Sequence, residues 1–223
     1  MGGPSLIVFD VNETLLDLEP IKINLEEIFG TDPPLGEWFA RLLHGSLVAN
    51  TLGQYRPFGD IAAEVLINMA GRRGLLLRAE DAREALAAMS RLPPHPDVVP
   101  GLERLAAAGK RMVALTNGSS GVANAQIQHA GLAEYLEKVI SVDEVGVFKP
   151  DPAPYRHTAD LMGVAIEDMV LVAAHDWDCA GAMSAGAEAV FVKRPGAVWG
   201  LPTPPPERQV STIEQLAAAM GAA

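Results

Sequence analysis

The chain has 223 residues, 49% of them hydrophobic and 20% charged, which excludes a disordered protein and suits one domain with or without a smaller insert. Its 28 acidic and 17 basic residues give a net charge of −11, which argues against nucleic acid or an anionic membrane as the main partner. No apolar run approaches the ~20 residues of a membrane span, no signal-peptide pattern opens the chain, and a single cysteine cannot form an intramolecular disulfide, so we expect a cytoplasmic protein.

Short apolar runs bounded by turn-forming residues predict buried strands. In chain order they span residues 5–9, 111–115, 169–174 and 189–192, and residues 139–142 add a fifth candidate. The segments between them carry apolar residues at helical spacing, as at 102–109, 122–130 and 154–162. Strands that alternate with helices pair in parallel, so the pattern predicts an α/β fold with a doubly wound parallel sheet.

Residues 18–95 follow a different pattern, in which helical spacing dominates and no strand is predicted. We interpret this stretch as a helical insert after the first strand. Residues 1–17 and 96–223 then form the α/β core domain.

The last part of the chain predicts one more helix. Four prolines between residues 202 and 206 indicate a stiff connector. Ser211 and Glu214 then have the spacing of a capping box, in which the side chains at the start of a helix satisfy its free N–H groups. We therefore expect a short helix to begin at Ser211.

Polar residues follow the predicted strands at the points where the strands end. Ligands of doubly wound sheets bind at the carboxyl ends of the strands, where such side chains converge. The mixture suits covalent catalysis by a carboxylate, with Lys149 keeping Asp10 ionised. The residues are Asp10, Asn12 and Thr14 after the first strand, Thr116 and Asn117 after the second, Lys149 after the candidate at 139–142, and His175, Trp177 and Asp178 after the strand at 169–174.

Each of these residues also has an ordinary structural explanation. An aspartate after a strand is a common turn or helix-cap residue, and Thr-Asn-Gly at 116–118 is first of all a turn signal. A lysine before a proline is usually a solvated loop residue, and Trp177 is more typical of packing than of ligand contact. The functional interpretation depends on the joint pattern, because separate strand ends carry suitable polar residues in a consistent order.

The joint pattern resembles the haloacid dehalogenase superfamily over nearly the whole chain. Residues 9–15 (FDVNETL) look like its first motif, residues 115–118 (LTNG) like the second, residues 149–150 (KP) like the third and residues 175–178 (HDWD) like the fourth. The resemblance implies a Rossmann-like core, with the insert at 18–95 as a helical cap.

Two positions depart from the phosphatase branch of that superfamily. Those enzymes have D-x-D-x-T at the first motif, where the second aspartate protonates the leaving group, whereas Asn12 has no such proton to give. They also hold Mg²⁺ with two acids four residues apart in the fourth motif, and here Asp178 is preceded at that distance by Ala174. Both departures favour metal-free chemistry, so we expect no metal site and no cofactor.

The chain is more similar to the metal-independent 2-haloacid dehalogenases. Residues 116–118 look like their Ser-Asn-Gly, and Tyr155 follows Lys149 at the distance of their active-site tyrosine. Trp177 begins a stretch that resembles their fourth motif, and Phe58 resembles a phenylalanine that lines their halide pocket. The resemblance implies a hydrolase, a small halocarboxylate substrate and a homodimer.

The resemblance also implies a two-step reaction. Asp10 displaces halide from the substrate carbon with inversion and forms an ester, and water then attacks the Asp10 carboxyl carbon to release a 2-hydroxy acid. The implied roles are distributed as follows: Lys149 and Thr14 orient Asp10, Asp178 positions the water or Lys149, Thr116 and the backbone of Val11 and Asn12 grip the substrate carboxylate, Asn117 holds halide, and Tyr155, Phe39, Arg41, Phe58 and Trp177 contact the substrate.

Two positions depart from the 2-haloacid dehalogenase pattern. Phe39 stands where those enzymes have an arginine. Arg41 lies about 200° further round a helix and reaches the site only if the helix starts or bends differently, so Arg56 and His44 are other candidates for an anion contact. His175 stands where asparagine is usual, and is either a base towards the ester-cleaving water or a neutral hydrogen-bond partner.

Three hypotheses follow. The leading one is a metal-independent hydrolase of small 2-haloalkanoic acids, and the second is a Mg²⁺-dependent phosphatase of a small phosphorylated metabolite. The third is a non-catalytic acid-binding protein or dimeric scaffold, which the missing arginine at position 39 motivates. It is disfavoured by the intact Asp10, Thr14, Lys149 and Asp178. We expect no nucleic acid and no membrane as partner.

Overall fold

A computed structural model describes residues 4–222 of the chain, and a parallel β-sheet of six strands lies at its centre. The strands are β1 (Leu6–Phe9), β2 (Met112–Thr116), β3 (Lys138–Ser141), β4 (Met169–Ala173), β5 (Glu188–Val192) and β6 (Arg208–Val210), in the order β3-β2-β1-β4-β5-β6. The chain runs outwards from β1 to β3 and then returns to the other side of β1 to start β4. The topology therefore switches between β1 and β4, where ligands of doubly wound sheets bind, and the predicted fold class is confirmed.

Nine α-helices accompany the strands within residues 4–222. They are α1 (Glu19–Phe29), α2 (Leu35–Leu52), α3 (Phe58–Arg72), α4 (Ala79–Ala85), α5 (Val98–Ala107), α6 (Ser120–His129), α7 (Pro152–Met162), α8 (Asp176–Ala185) and α9 (Ile213–Ala219). Helices α1 to α4 lie between β1 and α5, so the stretch predicted as a helical insert is helical. None of these helices combines the length and the apolar character that crossing a bilayer requires.

Helices cover both faces of the sheet, because alternate strand residues point to opposite faces. Ile7 and Phe9 of β1 belong to an apolar cluster shared with α5, α6 and α9. Leu6 and Val8 belong to the opposite cluster, shared with α7 and α8. All four residues of β1 are buried, and this strand therefore fixes the position of Asp10, the residue that follows it.

Two side chains of α2 make hydrogen bonds that connect it to another helix of the insert and to the core. The indole N–H of Trp38 donates to the carbonyl oxygen of Ala62 in α3 at 3.1 Å, and the Trp38 ring is fully buried. Near the other end of α2, the Asn50 carboxamide accepts from the Phe148 N–H at 2.9 Å and donates to the Phe148 carbonyl at 2.8 Å. The insert is thereby bonded to the residue that precedes Lys149.

Two details near the C-terminus differ from the prediction. Strand β6 pairs with β5, although only a connector was expected in this part of the chain. The strand was missed because it has three residues and one buried side chain, which form no apolar run. Helix α9 begins one residue late, with Thr212 rather than Ser211 as its N-cap, and the Thr212 hydroxyl accepts from the Gln215 N–H at 3.0 Å. The Gln215 side chain accepts in turn from the Ser211 N–H at 2.8 Å, so the prediction that Glu214 completes the box was wrong.

Candidate active site

Asp10 is the first residue after β1 and lies at the switch point of the sheet. Its backbone N–H donates to the carbonyl oxygen of Val172 in β4 at 3.0 Å, which carries the pairing of the two strands to the start of the loop. Its buried carboxylate accepts from the Thr14 hydroxyl on Oδ2 at 2.7 Å and from the Lys149 ammonium on Oδ1 at 2.8 Å. Both oxygens are engaged, so the orientation of the carboxylate is fixed.

Thr14 connects three parts of the core around the candidate nucleophile. Its hydroxyl donates to Asp10 and accepts from the backbone N–H of Ala174, just after β4, at 2.9 Å. Its carbonyl oxygen accepts from two nitrogens of Arg194, beyond β5, at 2.8 and 3.1 Å. Arg194 is also paired with Asp97 at 2.6 Å, next to α5. These contacts hold the loop after β1 rigidly against the sheet.

The Lys149 ammonium lies between two carboxylates and is fully buried. Nζ is 2.8 Å from Asp10 Oδ1, 2.6 Å from Asp178 Oδ2 and 3.0 Å from the Leu115 carbonyl oxygen, which uses all three of its protons. The Asn117 carboxamide accepts from the Lys149 backbone N–H at 2.8 Å. Burial lowers the pKa of Lys149, but the two carboxylates outweigh burial and raise that pKa above its ordinary value, so Lys149 remains a cation.

Asp178 lies in the first turn of α8 and is fully buried. Its Oδ1 accepts from the Tyr155 hydroxyl at 2.6 Å, and its Oδ2 accepts from Lys149. Burial raises the pKa of Asp178, and the Lys149 charge offsets part of that rise. The N-terminal end of a helix also favours a negative charge at this position.

The charge state of Asp10 follows from its contacts. Burial by itself would raise the pKa of Asp10, but the Lys149 charge and the hydrogen bond with His175 outweigh burial and hold the pKa well below its usual value. A carboxylate that is ionised, nearly stripped of water and fixed in direction is equipped for nucleophilic attack.

An organic cation bridges two carboxylates of the site. Lys149 Nζ stands between Asp10 and Asp178 at 2.8 and 2.6 Å. Across residues 4–222, no group of three or more His, Cys, Asp or Glu side chains is arranged to hold a metal ion.

The His175 ring is held between two aromatic side chains. Its centroid lies 5.4 Å from that of Phe39 and 5.1 Å from that of Trp177, with interplanar angles of 24° and 27°. Nδ1 is 3.0 Å from Asp10 Oδ2, and Nε2 is 2.9 Å from Glu13 Oε2. Burial lowers the pKa of His175, but the hydrogen bonds with Asp10 and Glu13 outweigh it and raise the pKa to about 10. A protonated ring donates from both nitrogens, and the role of His175 towards a hydrolytic water stays a prediction.

A cavity of about 290 Å³ opens between the insert and the core, beside the loop that follows Asp10. Its core side includes Asn12 and Gln126, and Asn12 Oδ1 accepts from Gln126 Nε2 at 2.9 Å. Its size and largely apolar wall suit a small molecule with an apolar portion. The insert contributes the apolar wall through Trp38, Leu42, Pro57, Phe58, Ala62, Ala63, Leu86 and Met89.

A comparison with protein-family models identifies the relatives of this arrangement. The model described as haloacid dehalogenase-like hydrolase matches residues 4–186. The chain belongs to this hydrolase family. The match includes every strand end that carries a residue of the Asp10 site, and the resemblance drawn from the motifs is confirmed.

Individual relatives of the hydrolase are named as dehalogenases. (S)-2-haloacid dehalogenase 1 of Pseudomonas sp. (strain CBS-3) is 30% identical over 94% of this chain and 93% of that protein. The (S)-2-haloacid dehalogenase of Xanthobacter autotrophicus is 31% identical over 84% of this chain and 74% of that protein. The structure of L-2-haloacid dehalogenase from Xanthobacter autotrophicus with chloropropionic acid covalently bound has a TM-score of 0.88 at 24% identity, over 98% of both chains, and shares the fold.

Two residues expected to contact substrate have other partners in the structure of the hydrolase. Arg41 pairs with Glu37 at 2.8 Å on the exposed side of α2, because the buried Phe39 turns a residue two positions further on away from the core. Tyr155 is fully buried, and its hydroxyl binds Asp178. The structure thus shows Tyr155 bonded to Asp178 and Arg41 paired with Glu37, and their contacts with a substrate stay predictions.

The remaining predicted residues have the following places in the structure. Arg56, a second basic candidate for an anion contact, pairs with Glu64 at 2.5 Å instead. The roles of the remaining residues towards a substrate stay predictions. Their positions are: Phe39 and Trp177 against His175, Asn12 and Phe58 on the cavity wall, Thr116 accepting from the Gly118 N–H at 3.0 Å, Asn117 on the Lys149 backbone, and Val11 with its side chain in the core.

Sequence reasoning missed Glu13 and Gln126. Glu13 has a φ of 59°, and its carboxylate meets His175, a direction that spacing along a loop does not reveal. Gln126 had a usable signal, because it is a polar residue on the buried face of α6, between Ala123 and Ile127. A polar side chain at such a position points to a buried partner, which here is Asn12.

Proposed function

We propose that the protein hydrolyses the carbon–halogen bond of small 2-haloalkanoic acids, giving 2-hydroxy acids and halide through an ester on Asp10. The observation that carries this proposal is the state of the Asp10 carboxylate, which is buried, ionised and held by Thr14 and Lys149. A carboxylate that attacks carbon has to be stripped of water and aimed, and these contacts do both.

In the first step, an Asp10 oxygen attacks the carbon that bears the halogen. The new carbon–oxygen bond forms as the carbon–halogen bond breaks, with inversion, and halide leaves with the bonding electron pair. No charge on phosphorus has to be neutralised, so this step has no intrinsic need for a metal ion. The proposed substrate contacts are Thr116 and the backbone of Val11 and Asn12 for the carboxylate, and Asn117, Phe58 and Trp177 for the halide and the substrate chain.

In the second step, water attacks the carboxyl carbon of the Asp10 ester. The bond between that carbon and the substrate oxygen breaks, the 2-hydroxy acid leaves, and the carboxylate returns. Lys149, 2.8 Å from Oδ1, stabilises the negative charge that develops on the carboxyl oxygen. This step also needs a proton acceptor close to the carboxyl carbon.

The named relatives support the substrate class. Two of them are (S)-2-haloacid dehalogenases, and one related structure contains covalently bound chloropropionic acid. We extend that substrate class, the (S)-2-haloacids, to this chain. A covalent adduct in a relative also agrees with an ester as the intermediate.

We further propose that the insert, residues 18–95, acts as a cap on the core domain of residues 1–17 and 96–223. Trp38 and Phe58 supply the apolar wall of the cavity, and Asn50 bonds the insert to the backbone beside Lys149. A cap of this kind excludes water from the nucleophile and strengthens the electrostatic contacts around it.

A magnesium-dependent phosphatase is less well supported. The carboxamide of Asn12 accepts from Gln126 and has no proton suited to protonating a leaving group. A purely acid-binding protein is disfavoured as well, because it has no need of a buried carboxylate that Thr14 and Lys149 hold in a fixed direction.

Halide release is the direct test. Purified protein with (S)-2-chloropropionate and EDTA should release chloride and 2-hydroxypropionate in equal amounts, and Asp10→Asn should release none. Repeated turnover in ¹⁸O water should place the label in Asp10. Absence of halide from a panel of chloro-, bromo- and fluoro-acids, or Mg²⁺-dependent turnover of p-nitrophenyl phosphate, contradicts the proposal.

We also propose a cytoplasmic homodimer. Cys179 is a fully buried free thiol, which suits a reducing compartment. Leu47, Val48 and Leu52 of α2 are 44%, 41% and 62% exposed, and a second copy of the chain would cover them. Light scattering should give a dimer for the parent and a monomer for Leu52→Glu, and a monomeric parent contradicts the proposal.

A further inference from the structure

Two hydrogen-bonded carboxamides lie on the core side of the cavity between insert and core. Asn12 and Gln126 both line this cavity of about 290 Å³, and they are 6% and 1% exposed. Gln126 Nε2 donates to Asn12 Oδ1 at 2.9 Å. The charged and hydroxyl side chains of the wall, which belong to Asp60, Arg83 and Ser119, are exposed or half-buried. The buried part of the wall therefore carries a polar pair within largely apolar surroundings.

The Gln126 side chain has an oxygen without a partner. Among residues 4–222, Gln126 Oε1 is the only buried side-chain oxygen or nitrogen that makes no hydrogen bond. Buried polar groups are nearly always paired, because leaving one unpaired costs free energy. An unpaired oxygen on a residue that lines a cavity indicates a ligand that supplies the missing donor.

Helix α6 carries Gln126 along the wall of the cavity. Ser119, the N-cap of this helix, is followed on the same face by Val122 and Gln126, at spacings of three and four residues. Val122 is 37% exposed, whereas Gln126 is 1% exposed. The wall that α6 provides thus leads from the surface inwards to the unpaired oxygen.

This polar pair is close enough to Asp10 to meet the far end of a short substrate. Asn12 follows Asp10 by two residues, so their Cα atoms are at most about 7 Å apart, and Gln126 bonds directly to Asn12. Three or four bonded atoms beyond the reacting carbon extend about 4–5 Å. The chain of a five-carbon acid therefore has a suitable length.

The pair offers a ligand one donor and one acceptor. The Asn12 oxygen is engaged by Gln126, so Asn12 offers its amino group, and Gln126 offers Oε1. A primary carboxamide matches both groups, because its carbonyl oxygen accepts and its amino group donates. A methyl group satisfies neither of them, and a carboxylate has no proton for Gln126.

We propose that Asn12 and Gln126 form a specificity site for 2-haloacids whose chain ends in a primary carboxamide. The amino group of the substrate donates to Gln126 Oε1, and its carbonyl oxygen accepts from the Asn12 amino group. The methylene groups between the two ends pack against the apolar wall, which includes Leu42 and Phe58. The inference rests on the proposed function, because it names the substrates that the same site prefers.

The contact with Gln126 contributes more than an ordinary hydrogen bond. A new hydrogen bond usually replaces a bond to water, so its net gain is small. Gln126 Oε1 is buried and unpaired before the ligand arrives, so the protein gives up no such bond. We therefore expect a substrate with the matching N–H donor to be favoured at least about 10-fold in kcat/KM.

Two substrates that differ only in this donor test the site. (S)-2-Chloro-4-carbamoylbutanoate and (S)-2-chloro-5-oxohexanoate have nearly the same shape and the same carbonyl acceptor, but the second has a methyl group in place of the amino group. Chloride release by the parent should give a kcat/KM at least about 10-fold higher for the carbamoyl substrate. Equal values for the two substrates overturn the specificity site.

Gln126→Leu removes the acceptor while nearly keeping the size of the side chain. The ratio of the two kcat/KM values should fall to within about twofold of unity. A merely structural role of Gln126 would lower both values together and leave their ratio at the parental level. Gln128→Leu is the matched control, because Gln128 is an exposed glutamine of the same helix, and it should keep the parental ratio.

Binding of halogen-free acids separates this inference from the proposed function. By calorimetry, the parent should bind 5-amino-5-oxopentanoate at least about 10-fold more tightly than 5-oxohexanoate. A parent that releases no halide from any haloacid contradicts the function, and the calorimetric comparison then still tests the site. A parent that turns over both chloro-acids equally and binds both halogen-free acids equally overturns the specificity site alone, even if Gln126→Leu fails to fold.

Discussion

Lys149 and Asp178 form an ion pair with 2.6 Å between Nζ and Oδ2, and neither side chain is exposed to solvent. The same ammonium binds Asp10, so one buried cation serves two buried carboxylates. Removing one partner of such a group leaves a buried charge without compensation, which is more costly than never burying the pair.

Lys149→Met should therefore destabilise the protein by about 3–5 kcal/mol, because Asp10 and Asp178 then repel each other in a buried site. Halide release should fall by at least about 10³-fold, because the oxyanion at Asp10 loses its cation. Urea unfolding and a halide assay measure both effects. Lys22→Met, which removes an exposed lysine paired with Glu19, should leave the stability nearly unchanged. Equal effects of the two substitutions contradict the assignment.

Tyr155→Phe tests whether this side chain positions Asp178 or binds substrate. The Tyr155 hydroxyl donates to Asp178 Oδ1 at 2.6 Å, and both side chains are fully buried. Its loss should cost about 1–2 kcal/mol of stability and lower kcat, while KM for the haloacid stays within about twofold. A large rise in KM with unchanged kcat would restore the substrate contact that was expected from the sequence.

The fold was largely predictable, because the four long apolar runs correspond to strands whose residues are almost all buried. The edge strand β6 was missed, since it has three residues and buries one side chain. Secondary structure at an edge depends on pairing with a neighbour, here β5, rather than on its own hydrophobic pattern.

Site residues were predictable where the sheet sets the direction of their side chains. They were not predictable where a loop sets that direction. Asp10 and Lys149 converge because strand ends in a parallel sheet meet at one edge. Glu13 stands next to Thr14 in the sequence, yet only its left-handed backbone accounts for the contact with His175. Aromatic packing on His175 by Phe39 is a contact between insert and core, which no local pattern encodes.

Gly181→Ala should disturb the site through packing alone. A Cβ at this position would lie 2.5 Å from Pro150 Cβ and 2.7 Å from the Tyr155 hydroxyl oxygen, so α8 and the loop after Lys149 have to separate. We expect a loss of about 1–3 kcal/mol of stability together with reduced halide release.

Gly121→Ala is the matched control for that substitution. Gly121 lies in α6, and a Cβ there meets nothing within 4 Å. The change should leave the stability unchanged or raise it slightly, since alanine favours the helix and the added Cβ meets no neighbour. Thermal or urea unfolding measures the stability of both variants. A Gly181→Ala variant as stable as Gly121→Ala contradicts the packing argument.

Asn50→Ala tests whether the insert helps to place Lys149. Its carboxamide makes two hydrogen bonds to the Phe148 backbone, at 2.9 and 2.8 Å, and their loss should cost about 1–3 kcal/mol. We expect kcat to fall several-fold, because the residue before Lys149 is released. Asn124→Ala, which removes one exposed hydrogen bond to Ser120 within α6, should leave kcat unchanged. An unaltered kcat in Asn50→Ala shows that the core alone places the lysine.

The stability of the protein should depend on pH through His175. Its pKa rises from an ordinary 6.5 to about 10 in the folded protein, because hydrogen bonds with Asp10 and Glu13 outweigh burial. Between these two values the folded state binds the proton and the unfolded state does not, so the free energy of unfolding decreases as pH rises. The stabilisation from His175 is complete below pH 6.5 and disappears as pH rises through about 10, and its size is on the order of a few kcal/mol.

The parent and His175→Asn should therefore differ most at pH 6 and converge towards pH 10 in urea unfolding. Asp10 also loses a partner in this variant, but Lys149 and Thr14 keep it ionised throughout that range, so its titration does not mask the effect.

His157→Asn offers a control, since that ring contacts Glu144 at 2.9 Å with a 30% exposed side chain. The parent and His157→Asn should give nearly parallel profiles, because a partly exposed pair contributes little. A His175→Asn profile that runs parallel to the parent would mean that the ring is neutral in the folded protein.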